Sequence, residues 1–505
     1  MAAETSKHVV LVPMIMWGHT RPMCTLAARL VKLRHVSITM FVSGAFYERA
    51  KAEITKDFET GESHLLARIT FIPLKQSNSP FDSASYEADF LDTWARFMAG
   101  QSLNGYTAAG VPHDVNTSEK DHLAGAIVDM FAIRAFRELH GLKEKLRVKI
   151  FSWYPSATSS LFYWFDKDRI PRAEEIAART GVSFDVAAHE VVTETKGRLV
   201  ESPCLPPMYD YEYRPQAVCF HFSSLAANFR ESDGLITIDA ADYHPRTTAA
   251  IRSWFAPRPA YYAGPLVSRV PRVLSTDQGA IDAMHFMDER LQSHGAKSVI
   301  LISFGSMFWP PNTEKVGAVL DVLMDKNIPF VSLARCSPLS AIPEETAGRL
   351  VKYDAALVST WVPQQAVLSH AAMGWCLSHA GHNTVFECID ANVPMHEFTP
   401  FSILWPIDAD QPPNAIQLAD DLGIAYELIE VRNGAGLGPI HRTGRKPDGS
   451  IEAVQAEIRD VLGRAFGPDG EEKRMRLDAL RTKLRAAWAE GGAARKDMET
   501  FLDSL

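Results

Sequence analysis

The stretch that decides the fold reads Ser378-His379-Ala380-Gly381-His382-Asn383-Thr384-Val385-Phe386-Glu387. A short apolar run, residues 374–378, leads into it, and its second half has the pattern of a helix. A strand that turns into a helix presents the free backbone amides and the positive dipole end of that helix, which suit a diphosphate. Gly381 permits close approach of a ligand, while Asn383 and Thr384 can cap the helix or contact phosphate oxygens. One helical turn further on, Glu387 can reach a ribose diol.

Short apolar runs alternate with amphipathic segments on both sides of this stretch. We predict strands at residues 9–12, 37–42, 69–72 and 126–128 in the first half, and at 298–303, 330–333, 357–360 and 374–378 in the second. This alternation is typical of parallel α/β units and predicts two α/β domains. A first helix is predicted from Pro22, and a long amphipathic helix near the end would carry Met475, Leu477, Leu480, Leu484 and Trp488.

Length and helix-breaking residues divide the chain. A chain of 505 residues is too long for one ordinary core. A cluster of prolines and a glycine near the middle of the chain is typical of a connector between domains; it consists of Pro257, Pro259, Gly264, Pro265 and Pro271. We therefore predict a first domain at 1–262, a linker at 263–290, a second domain at 291–475 and C-terminal helices at 476–505, crossing back to the first domain. The glycine-rich stretch 433–450 is predicted to be a surface loop of the second domain.

Composition excludes several classes of protein. The net charge of -9 is spread along the chain without a Lys/Arg block, so a nucleic-acid partner is not expected. The longest apolar stretch, residues 9–17, is about half of the roughly 20 residues that a membrane-spanning helix needs. The N-terminus is polar and lacks a secretion signal, so we expect a cytoplasmic protein without stable membrane insertion. The six cysteines show no paired spacing and fit reduced thiols, and a monomer is compatible with the sequence.

Two polar residues lie where strands of the first domain are predicted to end. His19 belongs to a loop directly after the first strand, and Asp129 follows the apolar run 124–128. Ligands of open α/β sheets bind in the crevice at the carboxyl ends of the strands, so both side chains can reach one site. A carboxylate on one imidazole nitrogen fixes the tautomer, which leaves the other nitrogen to remove a proton from a hydroxyl. Position alone also fits a histidine that packs the turn and an aspartate that caps a helix.

A second set of polar residues follows strands of the second domain. Ser306 closes a Phe-Gly-Ser turn after the strand 298–303 and offers a hydroxyl and an amide to a phosphate, although Gly-Ser is also common in simple turns. Before the opening stretch the chain reads Trp361-Val362-Pro363-Gln364. After it the chain reads Trp405-Pro406-Ile407-Asp408-Ala409-Asp410-Gln411.

Together, residues 361–411 resemble the donor-binding signature of plant-type UDP-glycosyltransferases. His19 in a Gly-His-x-x-Pro loop, Asp129, Ser306 and Gly264 in Gly-Pro-Leu follow the order of the same family, so the resemblance spans nearly the whole chain. It implies an α/β GT-B fold, in which two Rossmann-like domains with parallel sheets face each other across an interdomain cleft. The first domain would bind the acceptor and the second the UDP-sugar donor.

The resemblance also implies a role for each residue of the site. Trp361 would stack on the uracil, Gln364 would contact the nucleoside and Glu387 would hold the ribose. The diphosphate would be held at Ser306, His379, Gly381, Asn383 and Thr384. Asp410 and Gln411 would bind the sugar hydroxyls, and His19 would be the base, oriented by Asp129. The sequence departs from the family at His382, where the plant pattern usually has tryptophan, and additional residues precede Trp405.

The implied reaction is the inverting transfer of glucose from UDP-glucose, the co-substrate, to a hydroxyl of a small, largely apolar acceptor. No cofactor and no metal ion are expected. Phenols, terpenoids, sterols and lipids are all open as acceptors. Trp17, Trp153 and Ser156 are candidates for lining the acceptor pocket, although aromatic residues also form cores.

Three other classes of site fit the sequence less well. A zinc site would have to take ligands from a strand, a loop and a helix at once, at Cys376, His379, His382 and Cys388. Asp408-Ala409-Asp410 has the form of a manganese-binding DxD, but it follows a helix N-terminus that already offers phosphate binding. A dehydrogenase would need Gly-x-Gly-x-x-Gly after the first strand, where residues 14–21 contain one glycine. The remaining alternative is a catalytically inactive protein of the same fold that binds a sugar nucleotide or an apolar ligand.

Overall fold

The computed structural model describes residues 7–75, 82–115, 123–165, 169–216, 225–268, 277–333, 342–391 and 401–505. By packing, the chain divides into two compact units. Unit 1 comprises residues 1–158, 222–270 and 484–505, and unit 2 comprises residues 159–221 and 271–483. This division groups residues 159–221 with unit 2, whereas the predicted domain boundaries, which stay a prediction, place them in the first domain.

The strands of the described residues are numbered here in chain order. They are β1 (Lys7–Val12), β2 (Val36–Ser43), β3 (Ile69–Leu74), β4 (Leu103–Thr107), β5 (Pro112–Val115), β6 (Leu123–Asp129), β7 (Lys149–Tyr154), β8 (Leu199–Val200), β9 (Met208–Tyr209), β10 (Gly234–Thr237), β11 (Ala260–Tyr262), β12 (Val299–Ser303), β13 (Phe330–Leu333), β14 (Ala356–Ser359), β15 (Met373–Ser378), β16 (Phe401–Leu404) and β17 (Ala425–Glu427). All eight predicted strands overlap strands of this set, so the prediction of two parallel α/β units is confirmed.

Each unit contains one large sheet with a reversal in its strand order. In unit 1 the order is β11-β10-β7-β6-β1-β2-β3-β4-β5, parallel except where β4 pairs with β3 and β5. In unit 2 the order is β14-β13-β12-β15-β16-β17, and all pairs are parallel. The winding direction reverses between β1 and β6 and between β12 and β15. In doubly wound sheets such a reversal opens a crevice at the carboxyl ends of the two strands, where ligands bind.

Helices connect the strands and cover the sheets. In unit 1 they are Trp17–Leu33, Tyr47–Thr55, Ser83–Met98, Ile133–Leu146, Leu225–Glu231, Pro245–Phe255 and Ala493–Ser504. In unit 2 they are Ser159–Phe165, Arg169–Thr180, Phe184–Thr193, Gln278–His294, Thr313–Asp325, Glu344–Lys352, Gln364–Leu368, His382–Asp390, Gln411–Ile416, Ile451–Ala465 and Pro468–Arg485. No helix of the described ranges is both long enough and apolar enough to cross a bilayer.

The first helix begins earlier than predicted. The carbonyl of Met16 accepts hydrogen bonds from the amides of His19 and Thr20, at 3.0 and 2.9 Å, so the helix starts at Trp17 and not at Pro22. Pro22 therefore lies inside the helix, where it cannot donate a backbone hydrogen bond to the preceding turn. The predicted apolar face is confirmed, since Met23, Leu26, Ala27 and Leu30 are fully buried in the core of unit 1. The earlier start places His19 in the first helical turn.

The predicted linker 263–290 stays a prediction: its end overlaps the helix Gln278–His294, and residues 269–276 lie outside the described residues. The prediction for the C-terminal helix is corrected. The predicted helix 475–488 ends at Arg485, and Met475 is 67% exposed. The buried face of this helix carries Lys473 and Arg474. Their cationic groups lie 4.9 and 5.1 Å from the ring centroids of Tyr426 and Trp375.

The stretch 433–450 is mostly irregular and largely exposed, and it belongs to unit 2, which agrees with the predicted surface loop. It contains the 3-10 helix Gly434–Leu437, and the hydroxyl of Tyr211 donates to the carbonyl of Pro439 at 2.6 Å. The guanidinium of Arg442 is 10% exposed and forms ion pairs with the buried carboxylates of Glu212 and Glu427. These ion pairs with buried carboxylates attach the loop to the rest of unit 2.

Candidate active site

The first predicted site lies at the strand-order reversal of unit 1. His19 occupies the first turn of the helix that follows β1, and Asp129 is the last residue of β6. The Nδ1 atom of His19 lies 2.8 Å from Oδ2 of Asp129. The Asp129 side chain has no exposed surface, whereas that of His19 is 16% exposed. The structure therefore brings the two predicted residues together, with the imidazole at the surface and the carboxylate beneath it.

The carboxylate of Asp129 is held at both oxygens. Its second oxygen, Oδ1, accepts a hydrogen bond from the amide of Phe131 at 3.0 Å. The ring of Phe131 also contacts the His19 imidazole edge-on, with 5.3 Å between the ring centroids. A buried carboxylate that accepts from Nδ1 leaves Nε2 as the nitrogen that can take a proton. The N-cap of the next helix is Ala132, so Asp129 is not the helix cap that the sequence also allowed, and its second oxygen binds the turn that precedes the helix.

The three residues predicted for the acceptor pocket differ in environment. Trp17 is half-buried, with Phe46 edge-on at 5.7 Å and the Arg49 guanidinium 4.0 Å from its ring centroid. Trp153 is completely buried in the core of unit 1, which agrees with the alternative that this tryptophan is a core residue. Ser156 is partly exposed. A role in acceptor binding stays a prediction for all three.

The second predicted site lies at the reversal of unit 2, between β12 and β15. The His379 ring is wedged between two glycines: a Cβ atom at Gly305 would lie 2.8 Å from its Nε2, and one at Gly381 only 2.3 Å. Gly305 also has a φ of +74°, in the left-handed region that favours glycine. From the sequence alone, the reason expected for glycine at position 381 is close approach of a ligand. The structure gives a second reason, because the histidine ring itself fills the space that a side chain would need.

Burial determines the charge of His379. The residue is 6% exposed, and desolvation lowers the pKa of its imidazole to about 4, although a hydrogen bond with the Ser303 backbone acts in the opposite direction. The ring is therefore neutral at physiological pH and offers a hydrogen bond, not a positive charge. Its Nδ1 is buried, and no partner within the described part of the chain lies within hydrogen-bond reach of it.

A helix N-terminus adjoins this histidine. Gly381 is the N-cap of the helix His382–Asp390, and its carbonyl accepts from the amide of Val385 at 3.0 Å. Amides of the first helical turn have no partner within the helix and are suited to an anion. Asn383 is partly exposed and Thr384 buried in this turn, while Ser306 is exposed after β12. These positions match the predicted diphosphate contacts, which the structure does not test.

Gln364 and Glu387 are joined by a hydrogen bond that the sequence did not predict. The Gln364 amide nitrogen donates to Oε2 of Glu387 at 2.6 Å, and its carbonyl oxygen accepts from the hydroxyl of Ser303 at 2.9 Å. The three residues come from a strand end and two helices, so their spacing in sequence gave no signal. Trp361 is half-buried just beyond β14. Ser303 thus supports the side chains predicted to hold the nucleoside.

The predicted sugar-binding residues lie in a tight turn, in which Ala409 has a φ of +63°. The side-chain oxygen Oε1 of Gln411 accepts from the backbone amides of Ile407 and Asp408 at 2.9 and 3.1 Å. Gln411 is 1% exposed and Asp410 is 7% exposed. Because the turn occupies the oxygen of Gln411, only the amide nitrogen is left to contact a sugar.

The first aspartate of the formal DxD is paired with an arginine. Nη1 of Arg214 lies 3.3 Å from each carboxylate oxygen of Asp408, and the two side chains are 6% and 3% exposed. Arg214 lies nearly two hundred residues earlier in the chain, so the sequence offered no sign of the pair. Within the described ranges, no group of three His, Cys, Asp or Glu side chains is placed to hold a metal ion. Metal independence stays a prediction.

The chain is similar in sequence to known sugar transferases. Residues 278–429 match the family model for UDP-glucoronosyl and UDP-glucosyl transferase. The chain is similar to the UDP-glycosyltransferase eriJ of Hericium erinaceus, with 29% identity covering 99% of this chain and 98% of that protein. It is similar to UDP-glycosyltransferase 71K2 of Pyrus communis, with 23% identity over 98% and 97%.

Solved structures of low sequence identity have the same fold. A UGT transferase from Siraitia grosvenorii in complex with UDP gives a TM-score of 0.68 at 19% identity, with 99% of both chains covered. A Medicago truncatula UGT complexed with UDP-glucose gives 0.66 at 17%, with 99% of this chain and 98% of that chain covered. The predicted α/β fold of the GT-B class, with two Rossmann-like sheets, is confirmed.

Proposed function

Since this chain is a UDP-glycosyltransferase, we propose that it transfers glucose from UDP-glucose to a hydroxyl of a small, largely apolar acceptor, with inversion at the anomeric carbon. The observation that carries the proposal is the hydrogen bond of 2.8 Å between His19 Nδ1 and the buried Asp129 carboxylate. It lies at the strand-order reversal of unit 1, where a ligand is expected.

His19 is the general base of this proposal. Its Nε2 takes the proton of the acceptor hydroxyl as the oxygen attacks the anomeric carbon. The bond between that carbon and the diphosphate oxygen breaks, and UDP leaves with the electron pair. The imidazolium formed on His19 is stabilised by the negative charge of Asp129, which orients the ring without itself reacting.

The leaving UDP is stabilised by unit 2 in this proposal. Amides at the start of the helix His382–Asp390 face the diphosphate, and His379 adds a hydrogen bond as a neutral imidazole. Trp361 stacks on the uracil, and Glu387, already oriented by Gln364, binds the ribose. Asp410 accepts from sugar hydroxyls, and the Gln411 amide nitrogen donates to one. No divalent ion takes part.

Relatives support a small, apolar acceptor. A Phytolacca americana UGT2 was solved with UDP-2fluoro-glucose and pterostilbene, and a Polygonum tinctorium enzyme is capable of glucosylating indoxyl. Both molecules are flat and aromatic and carry a hydroxyl. We propose acceptors of comparable size and polarity for this chain. Terpenoid, sterol and lipid alcohols are also open as acceptors and are tested in the same panel.

The test is transfer by the purified chain. A panel of hydroxylated aromatic, terpenoid, sterol and lipid compounds is incubated with UDP-glucose, and products are identified by mass spectrometry and by the anomeric coupling constant in proton NMR. A β-glucoside from the α-linked donor supports the proposal, whereas an α-glucoside contradicts inversion. Hydrolysis of UDP-glucose without acceptor separates an active enzyme from an inactive binding protein, since a binder would retain UDP affinity and release no glucose.

A further inference from the structure

Asn414 connects two parts of the predicted donor site. It lies in the helix Gln411–Ile416 and has no exposed surface. Its side-chain amide nitrogen donates to the carbonyl of Ala380 at 2.8 Å and to Oδ2 of Asp410 at 3.2 Å. Ala380 lies between His379 and Gly381, beside the predicted diphosphate contacts, and Asp410 is the predicted sugar ligand. One NH2 group therefore joins the phosphate side of the site to the sugar side.

The geometry determines the orientation of the Asn414 amide. Both neighbours are acceptors, so the nitrogen must face them, and the two protons of an NH2 group match two acceptors. Ala380 has a φ of +65°, a conformation that an L-residue with a side chain rarely adopts. Its carbonyl is held by Asn414, and its amide donates to the hydroxyl of Ser378 at 3.2 Å. The loop that carries His379 is thus held from both sides of Ala380.

The Asp410 carboxylate has its position set in the same way. Asp410 lies in a tight turn, next to Ala409 with its positive φ, and the Asn414 amide nitrogen lies one helical turn away. An aspartate side chain has two freely rotatable bonds, so the carboxylate needs an external partner to stay in one rotamer. Asn414 is such a partner, and it is itself fully enclosed.

We propose that Asn414 is a positioning residue, which fixes the Asp410 carboxylate relative to the diphosphate loop so that the sugar ring is held in the reactive orientation. This inference rests on the proposed function, in which Asp410 binds sugar hydroxyls. Asn414 does not touch the substrate and acts through Asp410. A misplacement of about 1 Å at a positioning group can cost on the order of 100-fold in rate.

The test compares affinity for UDP with use of UDP-glucose. In Asn414→Ala, kcat/KM for UDP-glucose is expected to fall about 10- to 100-fold. The inhibition constant of UDP, which lacks the sugar, is expected to change by less than about threefold, because the Ser378 hydroxyl still accepts from the Ala380 amide and holds the diphosphate loop. Asn414→Asp is the second variant: it keeps the shape of the side chain but places a carboxylate against two acceptors, and it should show the same split.

A double-mutant cycle with Asp410→Ala tests whether Asn414 acts through Asp410. In that background most of the effect of Asn414→Ala on kcat/KM should disappear, because the carboxylate to be positioned is gone. Gln216→Glu is the matched control in unit 2. Gln216 is 1% exposed, its amide nitrogen donates to the carbonyl of Val431 at 3.1 Å, and the change is again from a buried amide to an acid. In this control variant, kcat/KM for UDP-glucose and the affinity for UDP should stand in the same ratio as in the wild type.

Three outcomes would overturn the inference. They are an unchanged kcat/KM in both Asn414 variants, a loss of UDP affinity as large as the loss of kcat/KM, and additive effects in the cycle. The last two would show that Asn414 only supports the fold of the donor unit. Failure of the proposed function is distinguishable, because the wild-type chain would then bind or transfer no UDP-sugar before any variant is compared.

Discussion

Replacement of Asp129 by asparagine should remove most of the activity without removing any atom from the site. In the folded chain, one carboxylate oxygen accepts from His19 and the other accepts from the Phe131 amide, at 2.8 and 3.0 Å. An asparagine has only one accepting oxygen, so one of these two donors must face an NH2 group. If the NH2 group faces His19, Nδ1 becomes an acceptor and the ring proton moves to Nε2, which can no longer act as a base.

The opposite orientation of the asparagine is also unfavourable. It keeps the bond to His19 but directs the NH2 group at the amide of Phe131, and a buried donor without an acceptor costs about 1 to 3 kcal/mol. The first orientation should therefore dominate, and the effect should approach that of His19→Ala. A positioned base contributes about 10²- to 10⁴-fold. At about 1.4 kcal/mol per tenfold, this corresponds to roughly 3 to 5 kcal/mol of transition-state stabilisation.

The assay measures kcat/KM with an unactivated alcohol acceptor for the wild type, His19→Ala, His19→Gln and Asp129→Asn. UDP affinity is followed by calorimetry and should not change, since the predicted UDP contacts lie in unit 2. His8→Ala is the control for loss of a histidine from unit 1, because His8 is 1% exposed and is paired with Thr39 on β2. It should lower stability but leave turnover per folded molecule unchanged.

The reasoning would be refuted by near wild-type turnover of the alcohol in either His19 variant. A much larger loss in the Asp129 variant than in the His19 variants would show that the carboxylate has a direct chemical role. Phenols of low pKa are a further check. They ionise without help, so the loss with such an acceptor should be smaller than with the alcohol.

The remaining predictions concern the donor unit. Transfer should survive EDTA at millimolar concentration, because helix amides and a neutral histidine face the diphosphate; loss with EDTA and recovery with manganese would support the DxD interpretation instead. In competition among UDP-glucose, UDP-galactose, UDP-glucuronate, UDP-N-acetylglucosamine and UDP-xylose, UDP-glucose should have the highest kcat/KM, and Gln411→Ala should change the ranking. An unchanged ranking would show that the sugar is recognised elsewhere. Stability should fall as pH decreases from about 6.5 to 4, because the unfolded chain takes up a proton that buried His379, with its pKa lowered to about 4, does not. The full effect is about 3 kcal/mol, and urea unfolding of His379→Gln at pH 7 and pH 5 should show a weaker pH dependence than the wild type.

Local patterns predicted eight strands well because they all lie in the parallel parts of the two sheets, whereas the antiparallel β4 and β5 were not predicted. Strands buried on both faces need continuous apolar runs, and these runs are visible in sequence as 9–12 or 374–378. Helix boundaries were harder to place. The first helix begins at Trp17 because the Met16 carbonyl accepts hydrogen bonds from two backbone amides. The residue types at these positions do not predict such contacts. Met475 was placed on the apolar face by its spacing, but Lys473 and Arg474 cover the aromatic rings there with their stems and cations.

The predicted site residues show the same division. His19 and Asp129 were predicted to reach one crevice because both follow strands of the first domain, and the structure shows the hydrogen bond between them. The neighbours that hold other site residues were not predicted. Ser303 supports Gln364, Arg214 neutralises Asp408, and Asn414 holds both Ala380 and Asp410. Each of these partners is a common residue type without a motif of its own.

Sequence by itself determined the alternation of strands and helices, the donor-binding signature from Trp361 to Gln411 and the positions of His19 and Asp129 at strand ends. These features depend on residue type and short-range spacing, which a linear pattern contains. Only the tertiary structure decided the pairing of His19 with Asp129, the neutral state of His379 and the attachment of residues 159–221 to unit 2. Those depend on distance and burial between segments far apart in the chain, because desolvation and hydrogen bonding act through space and not along the sequence.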